Sequence, residues 1–206
     1  MSVSNLIRWG GLAAILEGTL FIIAELLGLS RLGYTRVSES LASGVFPVEA
    51  ALVLLGAILG LLGLVGLYVS QSEATGFLGL VRFMGSFVGL ALVAGVAWAD
   101  VFLLPYLAKT APVLIDEAFI GLGGFILSYL LAGLGGVLFG IATLRGRVYP
   151  RSAALLFTAG AALAVVGGLL GVPLLSIVFD VSVAWLGLAL WTGRIGEQTR
   201  QPPRVR

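Results

Sequence analysis

The chain has 206 residues, of which 59% are hydrophobic and only 11% are charged, and its mean hydropathy is +1.11. Soluble domains carry about 25% charged residues, so this composition excludes a soluble globular domain and a disordered tail protein. The chain contains no cysteine and no histidine. That absence excludes a disulfide scaffold, zinc sites of the ordinary kind and a Ser-His-Asp triad. A multi-pass membrane protein remains.

Six segments are long and apolar enough to cross a bilayer, since a spanning helix needs about 20 apolar residues. The sequence predicts spans at residues 6–29, 48–70, 77–104, 118–144, 152–169 and 173–192. The runs are continuous and do not alternate as barrel strands do. We therefore predict an all-α membrane protein, with six transmembrane helices in one bundle (residues 1–193) and a basic tail (194–206).

Two of the predicted outer loops are longer than a turn. Residues 29–46 carry apolar side chains at roughly helical spacing, which predicts a short interfacial helix there. In the second loop, Asp116 and Glu117 precede the fourth span. Acidic side chains are favourable at a helix N-terminus, so we expect this pair to cap that span.

Basic residues are distributed unevenly between the two sides of the predicted bundle. If the N-terminus is cytoplasmic, nine arginines and two acids lie on the inner side, whereas three basic residues and six acids lie on the outer side. The positive-inside rule then predicts both termini in the cytoplasm. The pI near 9.3 reflects this asymmetry, so we expect no nucleic-acid partner. The basic tail is interpreted as a topology anchor that could touch anionic lipid.

The ends of the fourth and sixth spans are similar in sequence. Residues 139–148 read FGIATLRGRV and residues 186–195 read LGLALWTGRI, and the second span ends comparably at Gly66-Leu67-Tyr68. This similarity predicts three parallel-repeated helical hairpins rather than an inverted repeat. The alternative is that helices rich in Gly, Ala and Leu match one another through composition alone.

Pairs of glycines four residues apart predict where the helices pack. Close backbone contact must drive helix association in lipid, where hydrophobic burial cannot. Most such strips should be internal to the bundle, although one left over would make a homo-oligomer. The predicted packing glycines are Gly56, Gly60, Gly85, Gly89, Gly136 and Gly140.

Carboxylates within the spans are the main functional signal, because an acid at the centre of a bilayer is costly. Glu17 is predicted near the midplane and Asp180 about 10 Å below the outer edge, from the helical rise. Glu25, Glu49 and Asp100 fall in the outer thirds of their spans. Neutral candidates to partner the deep acids are Thr19, Ser128, Tyr129, Ser176 and Ser182.

Two interpretations of these five acids stay open. They could line an outward-facing cavity that binds a cation, a proton or a cationic solute. Alternatively, Glu17 and Asp180 are neutral groups that join helices, while Glu25, Glu49 and Asp100 lie at the headgroups, paired with Arg31 or Lys109.

Three functions follow from these interpretations. The first is binding or permeation of a small solute or cation through the acidic cavity. The second is a non-catalytic accessory or assembly subunit that packs against a membrane partner, and the third is an enzyme acting on lipid. No catalytic residue, metal site or cofactor is predicted.

Several short motifs carry a resemblance to a known class of protein. They are Gly66-Leu-Tyr68, residues 76–79, residues 95–100, Leu104-Pro105, residues 142–145, residues 150–153 and residues 184–187. Together they resemble uncharacterised six-span bacterial integral membrane proteins of the domain-of-unknown-function type. The resemblance covers most of the chain from Gly63 onward. It implies the six-span architecture and a bacterial inner membrane, and it implies no activity and no functional residue.

Overall fold

The computed structural model of the protein describes residues 2–118, 122–170 and 172–193, and these residues contain helices but no strand. The predicted basic tail lies outside the described residues, as do residues 119–121 of the predicted fourth span and residue 171, between the predicted fifth and sixth spans. Two 3-10 turns, Leu29–Arg31 and Pro173–Leu175, accompany the α-helices. The helices are α1 (Val3–Gly28), α2 (Val37–Leu41), α3 (Phe46–Val69), α4 (Ser72–Phe102), α5 (Leu104–Thr110), α6 (Pro112–Ala118), α7 (Leu122–Gly146), α8 (Arg151–Leu170) and α9 (Ile177–Trp191).

Five helices in the described part of the chain are long and apolar enough to cross a membrane: α1, α3, α4, α7 and α8. The sixth apolar helix, α9, has only 15 residues, which corresponds to about 22 Å of helical rise. It is shorter than the predicted span 173–192 because Pro173–Leu175 forms a 3-10 turn before it. The described residues therefore contain five span-length helices and one shorter apolar helix.

Several helix boundaries differ from the predicted spans. The first helix begins at Val3, and Ser2 caps it by accepting a hydrogen bond from the Asn5 backbone N–H through its Oγ. In α4, Gly76 has φ +56°, a conformation that glycine adopts without steric cost. This kink sets the first turn of α4 at an angle, so the straight part of the helix begins at Phe77, the first residue of the predicted span.

The six apolar helices form a closed ring in which each packs against its neighbours in the chain, and α9 closes the ring against α1. Along the α1–α3 contact, Gly10 lies against Gly66, whereas Gly28 lies against Glu49. Residue numbers therefore fall along α3 in the direction in which they rise along α1, so these two helices are antiparallel. The side chains of Trp9 and Trp191 meet with ring centroids 6.1 Å apart. The start of α1 and the end of α9 therefore lie at the same end of the bundle, here called the terminal end.

Glycines allow the closest approaches within this ring. A Cβ atom on Gly187 of α9 would lie 2.6 Å from the carbonyl oxygen of Gly11 in α1. A Cβ on Gly10 would lie 2.7 Å from the Cα of Gly66 in α3. Neither pair includes a predicted packing glycine, so the sequence analysis missed these two close contacts of α1.

The six predicted packing glycines all face another helix of the same chain. Gly56 and Gly60 face α1, where a Cβ would meet the ring of Phe21 or the carboxylate of Glu17. Gly85 and Gly89 face α7, and Gly136 and Gly140 face α8. The faces of these glycines are occupied by internal contacts.

Three short helices cover the opposite end of the bundle and are here called the cap: α2, α5 and α6. Leu41, Phe46, Ala108 and Ile115 form a small buried cluster between them and the start of α3. The short helix expected within residues 29–46 is therefore present as α2, preceded by the 3-10 turn. The ring, the cap and the terminal end together define where a cavity can lie.

Candidate functional site: an acidic cavity inside the helix ring

One cavity of about 630 Å³ lies inside the ring, and all six apolar helices contribute to its wall. Its mouth is lined by Arg31, Leu32 and Ser40. Toward the terminal end it stops at a packed cluster that includes Phe139, Leu186 and other buried apolar side chains. The cavity therefore extends from the cap to this apolar cluster, whose Leu64 and Leu67 also line it.

All five acids predicted as ligand-binding residues line this cavity. The two deeper acids, Glu17 and Asp180, are here called the floor level, and the three nearer the cap, Glu25, Glu49 and Asp100, the mouth level. Asp180 is the shallower of the deep pair, since it lies one helical turn from Ser176, which bonds Glu25. Glu17 and Glu25 lie on one face of α1, eight residues apart, so their Cα atoms differ in height by about 12 Å.

Glu17 is only 8% exposed, although it lies on the cavity wall. A Cβ atom on Gly60 would lie 2.5 Å from its Oε1, so a glycine at this position in α3 makes room for the carboxylate. Among the described residues, no protein group donates a hydrogen bond to it. Gly60 was predicted as a packing residue, and what it packs against is a carboxylate.

Asp180 is 5% exposed, and its Oδ2 is buried without a hydrogen-bond partner in the described part of the chain. It lies one helical turn after Ser176 on α9 and close enough to Glu17 for their charges to interact. A buried polar atom without a partner is uncommon, because leaving it unpaired costs about 1–3 kcal/mol, and more when it is charged. The cavity therefore holds two deep carboxyl groups that accept no side-chain or backbone hydrogen bond from the part of the chain that the structure describes.

The residues expected to partner the deep acids mostly bond elsewhere. Thr19, Ser128 and Ser182 each donate to a carbonyl oxygen of their own helix. Ser176 donates to Oε1 of Glu25 at 2.7 Å, so it serves a mouth-level acid and not a floor-level one. Serine and threonine within helices commonly bond to the preceding turn, which explains why sequence proximity did not identify the partner.

At the mouth, Arg31 binds Glu49 through two parallel hydrogen bonds, Nε to Oε2 at 2.7 Å and Nη2 to Oε1 at 2.6 Å. Its Nη1 also donates to Oγ of Ser40 at 2.9 Å, and its guanidinium lies 5.0 Å from the ring centroid of Phe46. Bidentate pairs of this kind fix geometry as well as charge. This pair was one of the two expected for the headgroup interpretation. Asp100, by contrast, forms no hydrogen bond within the described residues.

A second carboxylate contact joins two helices of the cap, α2 and α6. Both oxygens of Asp116 in α6 accept hydrogen bonds from Ser38, one from its backbone N–H at 2.8 Å and one from its Oγ at 2.7 Å. These two hydrogen bonds hold the pKa of Asp116 below its usual 3.8. Asp116 therefore caps the start of α2, whereas the sequence analysis expected it to cap the fourth span.

A separate polar cluster joins two chain connections at the terminal end. Tyr149, between α7 and α8, hydrogen-bonds through its hydroxyl to Ser70, which follows α3. Gln71 donates to Oγ1 of Thr143 at 3.0 Å. Burial raises the pKa of the Tyr149 hydroxyl, so it remains a neutral donor. This polar cluster lies beyond the apolar side chains at which the cavity ends, and none of its four residues lines the cavity wall.

The wall between the two levels of acids is mainly apolar and aromatic. The apolar side chains there include Phe21 of α1, Val53 of α3 and Val93 of α4. Tyr129, one of the neutral candidates to partner the deep acids, also lines the cavity. No three carboxylates of the described residues are grouped closely enough to hold a metal ion.

Comparison with known proteins identifies no relative: no protein-family model, no curated protein and no solved structure matches the chain.

Proposed function

We propose that this chain is a six-span inner-membrane protein that binds a small organic cation in its acidic cavity, with the mouth on the outer side. The observation that carries the proposal is the pair of floor-level carboxyls. Glu17 and Asp180 lie within the ring, are almost fully buried, and lack protein hydrogen bonds among the described residues. A bound cation would supply both the charge and the donors that they lack.

The wall of the cavity favours an organic cation over a hydrated metal ion. Aromatic rings of Phe21, Phe179 and Tyr129 line it, and such rings attract organic cations over their faces. Hard metal ions prefer several oxygen ligands at once, and the carboxylates here are spread over two levels. The volume of about 630 Å³ is in the range of sites that enclose a small molecule, roughly 300–1,000 Å³.

The same features bear on the choice between a binding protein and an accessory subunit. A subunit that packs on a partner through its glycines should present an unoccupied glycine strip and no acids toward a common interior. The six predicted packing glycines face other helices of this chain, and the five acids line one cavity. These placements support the binding function, and nothing specific favours an enzyme acting on lipid.

Titration of the purified protein with phenethylammonium, a primary ammonium ion with three N–H donors, in nanodiscs of zwitterionic lipid, tests this function. We expect saturable binding that weakens about 10- to 100-fold in Glu17→Gln and in Asp180→Asn, since each change removes a charge-assisted contact. The matched control is Glu39→Gln, because Glu39 is an exposed acid of the cap outside the cavity wall. The anionic analogue 3-phenylpropanoate should not bind. Equal affinities in all three variants, or no saturable binding, would contradict the proposal.

We also propose that the chain has six spans, three parallel-repeated hairpins and both termini in the cytoplasm. The ring supports six spans, since α9 packs between α1 and α8, and the excess of arginines at the terminal end supports a cytoplasmic location for it. The chain has no cysteine, so single cysteines report topology directly. In cells, an impermeant maleimide should label Glu39→Cys from outside and Glu73→Cys only after permeabilisation. The reverse pattern would invert the topology.

A further inference from the structure

The acids of the cavity come from four of the six helices in the ring. They are Glu17 and Glu25 of α1, Glu49 of α3, Asp100 of α4 and Asp180 of α9. The other two helices, α7 and α8, are neighbours in the ring, and residues 122–144 and 152–170 contain no charged side chain. The described wall of the cavity is therefore uncharged on the side formed by α7 and α8.

The contact between α7 and α8 is tight toward the terminal end. A Cβ atom on Gly136 would lie 3.2 Å from the Cβ of Ala161, and one on Gly133 would overlap the side chain of Val165. Ala161 is only 1% exposed. Residues four apart share one face of a helix, so Ala161 and Val165 define the face of α8 that meets α7.

The same contact opens toward the cap. Leu169 follows Val165 by four residues and continues the face of α8 that meets α7, yet it is 68% exposed. On α7, Tyr129 and Ile126 lie one and two turns before Gly133 and are also exposed. All three of these side chains line the cavity. The cavity therefore reaches the outer surface of the ring at a gap bounded by Ile126, Tyr129 and Leu169, here called the side opening.

The mouth at the cap is more restricted than the side opening. The side chain of Arg31 is held there by three hydrogen bonds, two to Glu49 and one to Ser40. A ligand that enters through the mouth must displace bonded side chains, whereas one that enters through the side opening meets only uncharged ones. The pair of helices that carries the side opening also lies across the ring from α1 and α3.

We propose that the ligand is a single-headed cationic amphiphile, whose head binds among the acids and whose hydrocarbon tail leaves through the side opening into the surrounding lipid. This inference rests on the proposed cation-binding function and adds the shape of the ligand and its route from the membrane. A tail that remains in lipid is as well solvated as that of the unbound amphiphile, so its length should not affect binding. A closed cavity, by contrast, would reject tails too long to fit.

A series of alkylammonium ions from hexyl to dodecyl, measured by calorimetry in zwitterionic nanodiscs, tests this inference. Partitioning into empty nanodiscs gives the concentration of the membrane-bound amphiphile in each case. Relative to that concentration, affinity should stay constant within about twofold along the series, although affinity relative to aqueous ligand should rise about fourfold per methylene. A steep fall in membrane-referenced affinity as the tail lengthens would overturn the proposal.

A bulkier side chain at the side opening should restore a limit on tail length. Leu169→Trp is expected to weaken dodecylammonium about 10-fold more than hexylammonium. The matched control is Leu155→Trp, because Leu155 is an exposed leucine of α8 outside the cavity wall, and it should change neither affinity. An equal effect of Leu169→Trp on both tails would count against the side opening.

Photolabelling locates the tail directly, even if the new tryptophan turns toward lipid. An octylammonium ion with a diazirine at the middle of its tail should label α7 and α8 next to the side opening, and excess hexylammonium should suppress the label. Label on the start of α3 or on α2 would place the tail at the mouth and overturn the proposal.

The outcome with short ligands separates this inference from the function on which it rests. If phenethylammonium and hexylammonium bind through Glu17 and Asp180 but long tails are rejected, the amphiphile is wrong and the cation site stands. If wild-type protein binds no ammonium ion of any length, the proposed function itself is wrong.

Discussion

Replacing Gly187 by alanine is expected to separate α9 from α1 and thereby to destabilise the closed ring. The added Cβ would lie 2.6 Å from the carbonyl oxygen of Gly11, 2.9 Å from the Cβ of Ala14 and 2.9 Å from the backbone nitrogen of Ile15. Two of these three atoms belong to the backbone, so no side-chain rotation can relieve the contact. The helices must instead move apart by several tenths of an ångström.

The magnitude follows from two opposing terms. Overpacking of a tight contact costs about 1–3 kcal/mol, whereas alanine gains about 0.5–1 kcal/mol over glycine within a helix. Gly187→Ala should therefore lower the free energy of unfolding by about 1–2 kcal/mol. Gly95→Ala is the matched control, because Gly95 is also inside a helix but a Cβ there would meet no atom within 4 Å. It should raise stability by up to about 1 kcal/mol.

Reversible unfolding in mixed micelles of dodecyl maltoside and dodecyl sulfate, followed by tryptophan fluorescence, measures both variants against the wild type. The difference between the two variants isolates the overpacking cost, because the propensity gain is common to them. If both alanines move the unfolding midpoint in the same direction and by a similar amount, the close contact between α1 and α9 is not what stabilises the ring.

Three further predictions address the cap and the terminal end. Arg31→Met leaves the carboxylate of Glu49 without its bidentate partner and should cost about 1–3 kcal/mol of stability; a double-mutant cycle with Glu49→Gln checks the coupling. Ser38→Ala removes one of the two donors to Asp116, so the pKa of that carboxyl, measured by NMR, should rise toward 3.8. Because the folded-state pKa of Asp116 is lowered, its stabilisation of the cap should be present above about pH 4 and lost as the pH falls through the lowered value. Tyr149→Phe removes a buried, hydrogen-bonded hydroxyl at the terminal end and should cost about 1 kcal/mol without changing cation affinity.

The depth of each candidate residue could be predicted from the sequence because helical rise is a local property. Counting from the predicted ends of the spans put Glu17 deep and Glu49 near an edge, and the structure has them at the floor and the mouth of one cavity. The partners were predicted only in part: Arg31 was one of two basic residues expected to pair with the outer acids, but the acid that it binds was not predicted. Arg31 reaches Glu49 across eighteen residues, and Ser176 reaches Glu25 across 151.

Which way each helix faces was the hardest feature to predict. In a soluble helix an apolar stripe identifies the buried face, but lipid is as apolar as a protein interior, so the stripe carries little information in a membrane. The glycine pairs were a better guide, since Gly60 and Gly136 both face neighbouring helices. The close contact between Gly11 and Gly187 was missed because neither glycine belongs to one of the predicted pairs.

The absence of cysteine and histidine, the apolar segments and the sorting of basic residues to one side are properties of the sequence by itself. They determine an α-helical membrane protein whose titratable groups within the spans are carboxylates, because composition and helix length do not depend on neighbouring helices. Only the tertiary structure decided that these carboxylates meet. The contact of α9 with α1 closes the ring. Because of this closure, Glu17 and Asp180, which lie on different helices, line a single cavity.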